Sequence, residues 1–188
     1  LFVRGSTLSR RPKKIIYVGQ FCDRKNTLRM CRAFLIANSR NGGEWQLELC
    51  GKGPLKDSLP DDNNIVIHDF IQPEELPILY CTSRGFMLPS VSDHWGVVVH
   101  EGALSGCALL LSNKVGASRD FLGKRNGVPF NPRDESAIAF AFEWLMKLGT
   151  EELDAAYDES IELSHLTSIS KFVESVQTIV SRRGRRAG

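Results

Sequence analysis

Six short apolar runs punctuate this chain, at 15–18, 47–50, 64–67, 85–88, 108–111 and 128–130, and helical patterns separate them almost throughout. A strand with one wet face alternates apolar and polar residues. An unbroken apolar run instead marks a strand covered on both faces, which is the condition of a parallel sheet flanked by helices. Helices are expected from the Asn26 region, where Leu28, Cys31, Phe34 and Leu35 share one face, and then at 73–80, 95–105, 117–122, 135–148, 151–163 and 166–181. Pro73 sits at a favoured first helical position with Glu74 and Glu75 behind it. The pattern predicts an α/β domain with a doubly wound, Rossmann-like parallel sheet of about six strands and helices on both faces.

A length of 188 residues suits one well-buried domain. Residues 1–13 have the look of a linker from a preceding domain, 14–181 of the folded domain and 182–188 of a basic tail. The chain opens on Leu1, so a piece of a longer protein is expected. A net charge of +2 is too small to point to nucleic acid. The basic runs at 10–14 and 182–186 read as solvated tails, with a weak contact to an anionic membrane surface as the alternative. Five cysteines without metal-ligand spacing fit reduced thiols, with Cys50 and Cys107 core-like. No apolar run approaches the ~20 residues of a membrane span, and no secretory signal pattern is present. A cytoplasmic protein is expected, at most peripheral at the inner face of a membrane.

Ligands of such sheets bind outside the carboxyl ends of the strands. In "VGQFCDRKN", Gly19 permits close backbone approach, and Lys25 precedes a helix whose dipole disfavours a cation there. Lys25 is therefore either a solvated surface residue or an anion ligand. "GKGPL" is a tight turn and only a weak phosphate signal, lacking both the P-loop and the dinucleotide fingerprint.

"LPSVSDHWGVVVHEGALSG" carries more. Gly96, Val97 and Val98 open a helix after the fourth strand, so their unpaired amides face the crevice and suit a diphosphate. Glu101 lies about a turn and a half inside that helix among valines, a costly position for a carboxylate without hydrogen-bond donors. Ribose hydroxyls would serve, as would an Arg partner or simple exposure. Asp93 is either a site residue or a helix cap, and His94 reads as a loop residue.

These segments, with "LELCGKGPL", "NIVIHDF", "PEELPILY" and the stretch from "KVGASRDFL" to "NGVPFNP", resemble in order and spacing the C-terminal domain of a retaining family 4 glycosyltransferase, one half of a GT-B fold. The resemblance covers about residues 14–148. It implies that Asp93 and Glu101 stand at the two acidic positions of the family's E-x7-E motif. Glu101 would then bind ribose hydroxyls and Asp93 hydroxyls of the transferred sugar. Amides at Trp95, Gly96, Val97 and Val98 would serve the sugar and diphosphate. Lys25 would neutralise the diphosphate beside Gly19 and Gln20, and backbone at Asp69, Phe70 and Ile71 would read the base. Two departures stand out. Gln20 replaces the family's usual Arg, and Asp93 is shorter than Glu by one methylene, about 1.5 Å of reach.

The resemblance implies transfer of a sugar from a nucleotide-diphosphate sugar to an acceptor hydroxyl with retention of configuration. The acceptor site would lie on an N-terminal domain, so transfer by this piece alone is not expected. The chain contains no D-x-D, so a metal-independent donor site without a cofactor is expected. A non-catalytic nucleotide-sugar-binding domain and a GT-B epimerase or phosphorylase remain alternatives. A nicotinamide dehydrogenase lacks its fingerprint here.

Overall fold

Strands β1 (Lys14–Val18), β2 (Gln46–Cys50), β3 (Ile65–His68), β4 (Gly85–Leu88), β5 (Ala108–Ser112) and β6 (Gly127–Phe130) pair in parallel in the order β3-β2-β1-β4-β5-β6. The computed structural model describes residues 6–69 and 71–167. Each apolar run of the sequence coincides with one of these strands, with ends shifted by at most one residue. The physical reason is the one expected: β4 and β5 are buried along their whole length, sealed by helices on both faces.

Among the described residues six helices cover the sheet: α1 (Thr27–Arg40), α2 (Leu76–Cys81), α3 (Val97–Leu104), α4 (Ser118–Phe121), α5 (Glu135–Lys147) and α6 (Thr150–Leu166). Helices α1 and α5 pack together on one face, with Phe34 and Phe142 edge to face at 5.4 Å. On the other face α6 packs on α3 and α4, and α3 on α2. The winding direction reverses between β1 and β4, where a doubly wound sheet opens a crevice at its strand ends.

Two expectations are corrected. Helix α2 begins at Leu76, not Pro73, and residues 73–75 form a turn. Pro77 decides this. In a helix begun at residue 73 its ring would clash with the carbonyl four residues back, whereas in the first turn from Leu76 it is tolerated. Helix α3 begins at Val97, so Trp95 belongs to the preceding loop, and Gly96 takes the cap position with φ 81°. The helix expected at 166–181 and the basic tail lie outside the described residues, apart from Leu166, which ends α6, and Thr167.

The basic run at the start of the chain is not uniformly solvated. Arg11 is 2% exposed, and Leu8, in a 3-10 turn packed against α6, is fully buried. Lys14 pairs with buried Glu48 at 2.6 Å. Among the described residues no helix is long and apolar enough to cross a membrane.

Candidate functional site

The crevice outside β1 and β4 holds two adjoining hollows of about 380 and 510 Å3 that share Val18, Gly19 and Gln20. The smaller reaches Lys52, Ile71 and Leu76, on the side of β2 and β3. The larger is lined by Arg24, Lys25, Asp93, Trp95 and the first residues of α3.

Local chain geometry brings Lys25 and Asp93 together from loops 68 residues apart. Lys25 ends a 3-10 turn, Asp23–Lys25, ahead of α1. Asn26 follows in the left-handed region with φ 60°, a conformation asparagine tolerates better than most residues. Its side chain makes no capping hydrogen bond to α1. The amide instead donates to the Pro89 carbonyl at 3.2 Å and the Pro132 carbonyl at 2.7 Å, tying the β1 loop to the loops after β4 and β6. Asp93 is set by the chain after β5: its amide donates to the Lys114 carbonyl and its carbonyl accepts from Gly116. Only glycine fits at 116, since a Cβ there would lie 2.0 Å from the His94 carbonyl oxygen. The result is an ion pair, Lys25 Nζ to Asp93 Oδ2 at 2.5 Å, with both side chains only 13% exposed. Asp93 does not cap α3.

The amides of Trp95, Gly96, Val97 and Val98 donate to no acceptor among the described residues. They converge at the positive end of α3, on the rim of the larger hollow. The Trp95 and Val97 side chains are exposed there, at 48% and 67%.

Glu101 lines neither hollow. It is half-buried one helical turn beyond Val97, and its Oε2 accepts a hydrogen bond from the Tyr80 hydroxyl at 3.1 Å. Tyr80 in turn lies one turn beyond Leu76 on α2. The Glu101–Tyr80 pair therefore links α3 to α2, one helical turn along from Val97, which lines the larger hollow, and from Leu76, which lines the smaller. Burial raises the Glu101 pKa, against the lowering effects of the Tyr80 hydrogen bond and of His100. Burial, with Glu101 beside it, holds the Tyr80 hydroxyl well above its usual range, so it remains a donor. The Arg partner considered from sequence is absent among the described residues.

Gly19, Gln20, Lys25, Asp93, Trp95, Gly96, Val97 and Val98 thus share the larger hollow, and Ile71 joins the smaller one. Asp69 stands apart, exposed and paired with Lys56 at 2.5 Å, which lowers its pKa through that hydrogen bond. Phe70 lies outside the described residues. Sequence reasoning missed Tyr80 and Arg24. An aromatic hydroxyl in a short helix carries no periodic signal, and an exposed arginine in a turn resembles any other.

A doubly wound parallel sheet with a cationic crevice at its switch point defines the class of this domain. The family model for glycosyl transferases group 1 matches residues 12–147, and the chain belongs to that family. Over 138 residues it is 24% identical to an uncharacterized glycosyltransferase of Methanocaldococcus jannaschii, a match covering 70% of this chain and 35% of that protein. It is similar in fold to the pneumococcal O-GlcNAc transferase solved with UDP and GlcNAc, with TM-score 0.78 and 17% identity over 95% of this chain and 37% of that one. It is also similar to the C-terminal domain of a glycosyl transferase group 1 family protein from Francisella tularensis, with TM-score 0.73 and 17% identity over 88% of this chain and 95% of that one. The chain spans about a third of the length of the curated relative it matches. Its fold is that of the C-terminal half of a GT-B glycosyltransferase.

Proposed function

We propose that this chain is the donor-binding half of a retaining glycosyltransferase, which moves a sugar from a nucleotide-diphosphate sugar to an acceptor hydroxyl without a metal. The observation that carries the reading is the convergence, at one switch-point crevice, of Lys25 and the unpaired amides at Trp95–Val98, with the Glu101–Tyr80 pair one helical turn behind Val97. The UDP and GlcNAc bound by the pneumococcal relative support a nucleoside diphosphate as the first ligand to try.

In this reading the nucleoside occupies the smaller hollow, with its ribose over Glu101, and the diphosphate lies across the amides of α3. Tyr80 holds one carboxylate oxygen and leaves the other for hydroxyl donors, which offsets the cost of the half-buried charge. Bond breaking places charge on the departing diphosphate. Fixed amides and a cation stabilise that charge without reorganising at the moment of reaction. In the free chain Asp93 occupies Lys25. Arrival of the diphosphate would transfer Lys25 to phosphate and release Asp93 for the hydroxyls of the sugar. The acceptor and its binding groups belong to an N-terminal domain facing the exposed Trp95 and Val97.

Calorimetric titration of UDP, GDP, ADP and their nucleosides into the chain tests this. At least one diphosphate should bind more tightly than its nucleoside. Lys25→Ala should weaken that diphosphate about tenfold, the range for a charge-assisted hydrogen bond, while leaving the nucleoside unchanged. Equal affinity of diphosphate and nucleoside in the parent chain would refute the reading.

A further inference from the structure

The charges lining the larger hollow do not balance. Lys25 is neutralised by Asp93 at 2.5 Å, but Arg24, next to it in sequence, lines the same hollow and makes no ion pair among the described residues. Among the described residues its side chain makes one hydrogen bond, from Nη1 to the Ser92 carbonyl at 3.3 Å. Most of the planar fork, five N–H donors matched to oxyanions, is left unused. The backbone of Arg24 is fixed, since its carbonyl accepts from the Val91 amide at 2.9 Å and so joins the β1 loop to the β4 loop. Gln20, the neutral residue at the β1 end of the hollow, has its carbonyl held by the Tyr17 hydroxyl at 2.7 Å. Burial keeps that hydroxyl protonated, so it stays a donor to the Gln20 carbonyl. Arg24 shares the lining of this hollow with Gln20 and Asp93, and its guanidinium is anchored at the Ser92 carbonyl.

We propose that Arg24 is a second oxyanion-binding residue of this crevice, holding the diphosphate jointly with Lys25 and supplying the cation that Gln20 does not. The proposal rests on the donor-site reading above and deepens it. Lys25 begins paired and must exchange its carboxylate for phosphate. Arg24 begins unpaired, so it makes the first contact with an incoming diphosphate and costs no broken ion pair. A bidentate grip would also fix the phosphate plane against the amides of α3.

The test uses inorganic pyrophosphate, which needs no knowledge of the base, titrated into the chain alongside UDP. Arg24→Gln should lower pyrophosphate affinity about five- to tenfold, and Arg24→Lys less, since charge is kept but the fork is lost. Adding Gln20→Arg to Arg24→Gln should restore most of the affinity, which a structural role for Arg24 would not produce. Arg40→Gln, the same loss of charge at the far end of α1, should change nothing. Unchanged pyrophosphate affinity in Arg24→Gln, with Lys25→Ala still impaired, overturns the assignment of Arg24 alone. A loss that Gln20→Arg fails to restore overturns the shared role of the two positions. A parent chain that binds neither pyrophosphate nor UDP overturns the donor-site reading itself, and this inference with it.

Discussion

Replacing Glu101 with alanine is expected to weaken nucleoside diphosphate binding by about 1.5–3 kcal/mol, the range for hydrogen bonds to a charged group. The carboxylate already has one oxygen held by Tyr80, so it meets a ligand hydroxyl without first having to be oriented. A 2′- or 3′-deoxynucleotide should lose less affinity in the variant than the ribonucleotide does, because the missing hydroxyl no longer has a partner. The pH dependence has a definite sign. Burial raises the Glu101 pKa, so on acidification the protonated form accumulates above the usual glutamate range. The ionised form is the one that accepts two hydroxyls, so affinity should fall as pH drops through that raised pKa. Glu101→Gln should remove this acid-side decline. Titrations across mildly acidic pH check both points. Equal losses for ribo- and deoxynucleotides would count against the ribose assignment.

The second large effect concerns stability. Arg11→Met should destabilise the domain by roughly 3–5 kcal/mol, since each buried carbonyl stripped of its donor costs about 1–3 kcal/mol. Arg11 is 2% exposed and has no carboxylate partner among the described residues. It donates instead to the carbonyls of Ser6 at 2.8 Å, Tyr80 at 3.3 Å, Ser83 at 2.8 Å and Ser105 at 2.7 Å. Two of those carbonyls lie at the C-terminal ends of α2 and α3, where helix dipoles favour a cation. The ring of Tyr157, 5.4 Å away, covers its face. Methionine keeps much of the volume but satisfies none of these oxygens. Urea denaturation gives the difference directly, and a loss under 1 kcal/mol would show that water replaces the guanidinium. Because Tyr80 and Glu101 lie on the helices that Arg11 joins, nucleotide affinity should fall in the same variant.

The sheet was legible in the sequence because burial on both faces leaves a signature every residue of the run must carry, as at Ala108–Ser112. The start of α2 was not, since Pro73 and Pro77 both satisfy the rule for a first turn and only clash within one helix excludes the earlier start. That Lys25, Asp93 and the first residues of α3 line one hollow followed from their strand-end positions. The Lys25–Asp93 pairing did not, because an ion pair between loops 68 residues apart leaves no local pattern. Asn26 shows the limit of local rules. It occupies the cap position of α1, yet its side chain donates to the carbonyls of Pro89 and Pro132 instead. Tyr80 reaches Glu101 across 21 residues, and nothing in the spacing of α2 marks it as more than core.

Amide and side-chain NMR shifts of the chain titrated with UDP, or with whichever nucleoside diphosphate binds best, test the central claim most directly. The largest perturbations should fall on Gly96, Val97 and Val98, on the Lys25 ammonium and the Glu101 carboxyl, and on Ile71 at the nucleoside end. Perturbations confined to the outer face of α1 and α5, with the α3 amides and Glu101 unmoved, would contradict a donor site at this crevice.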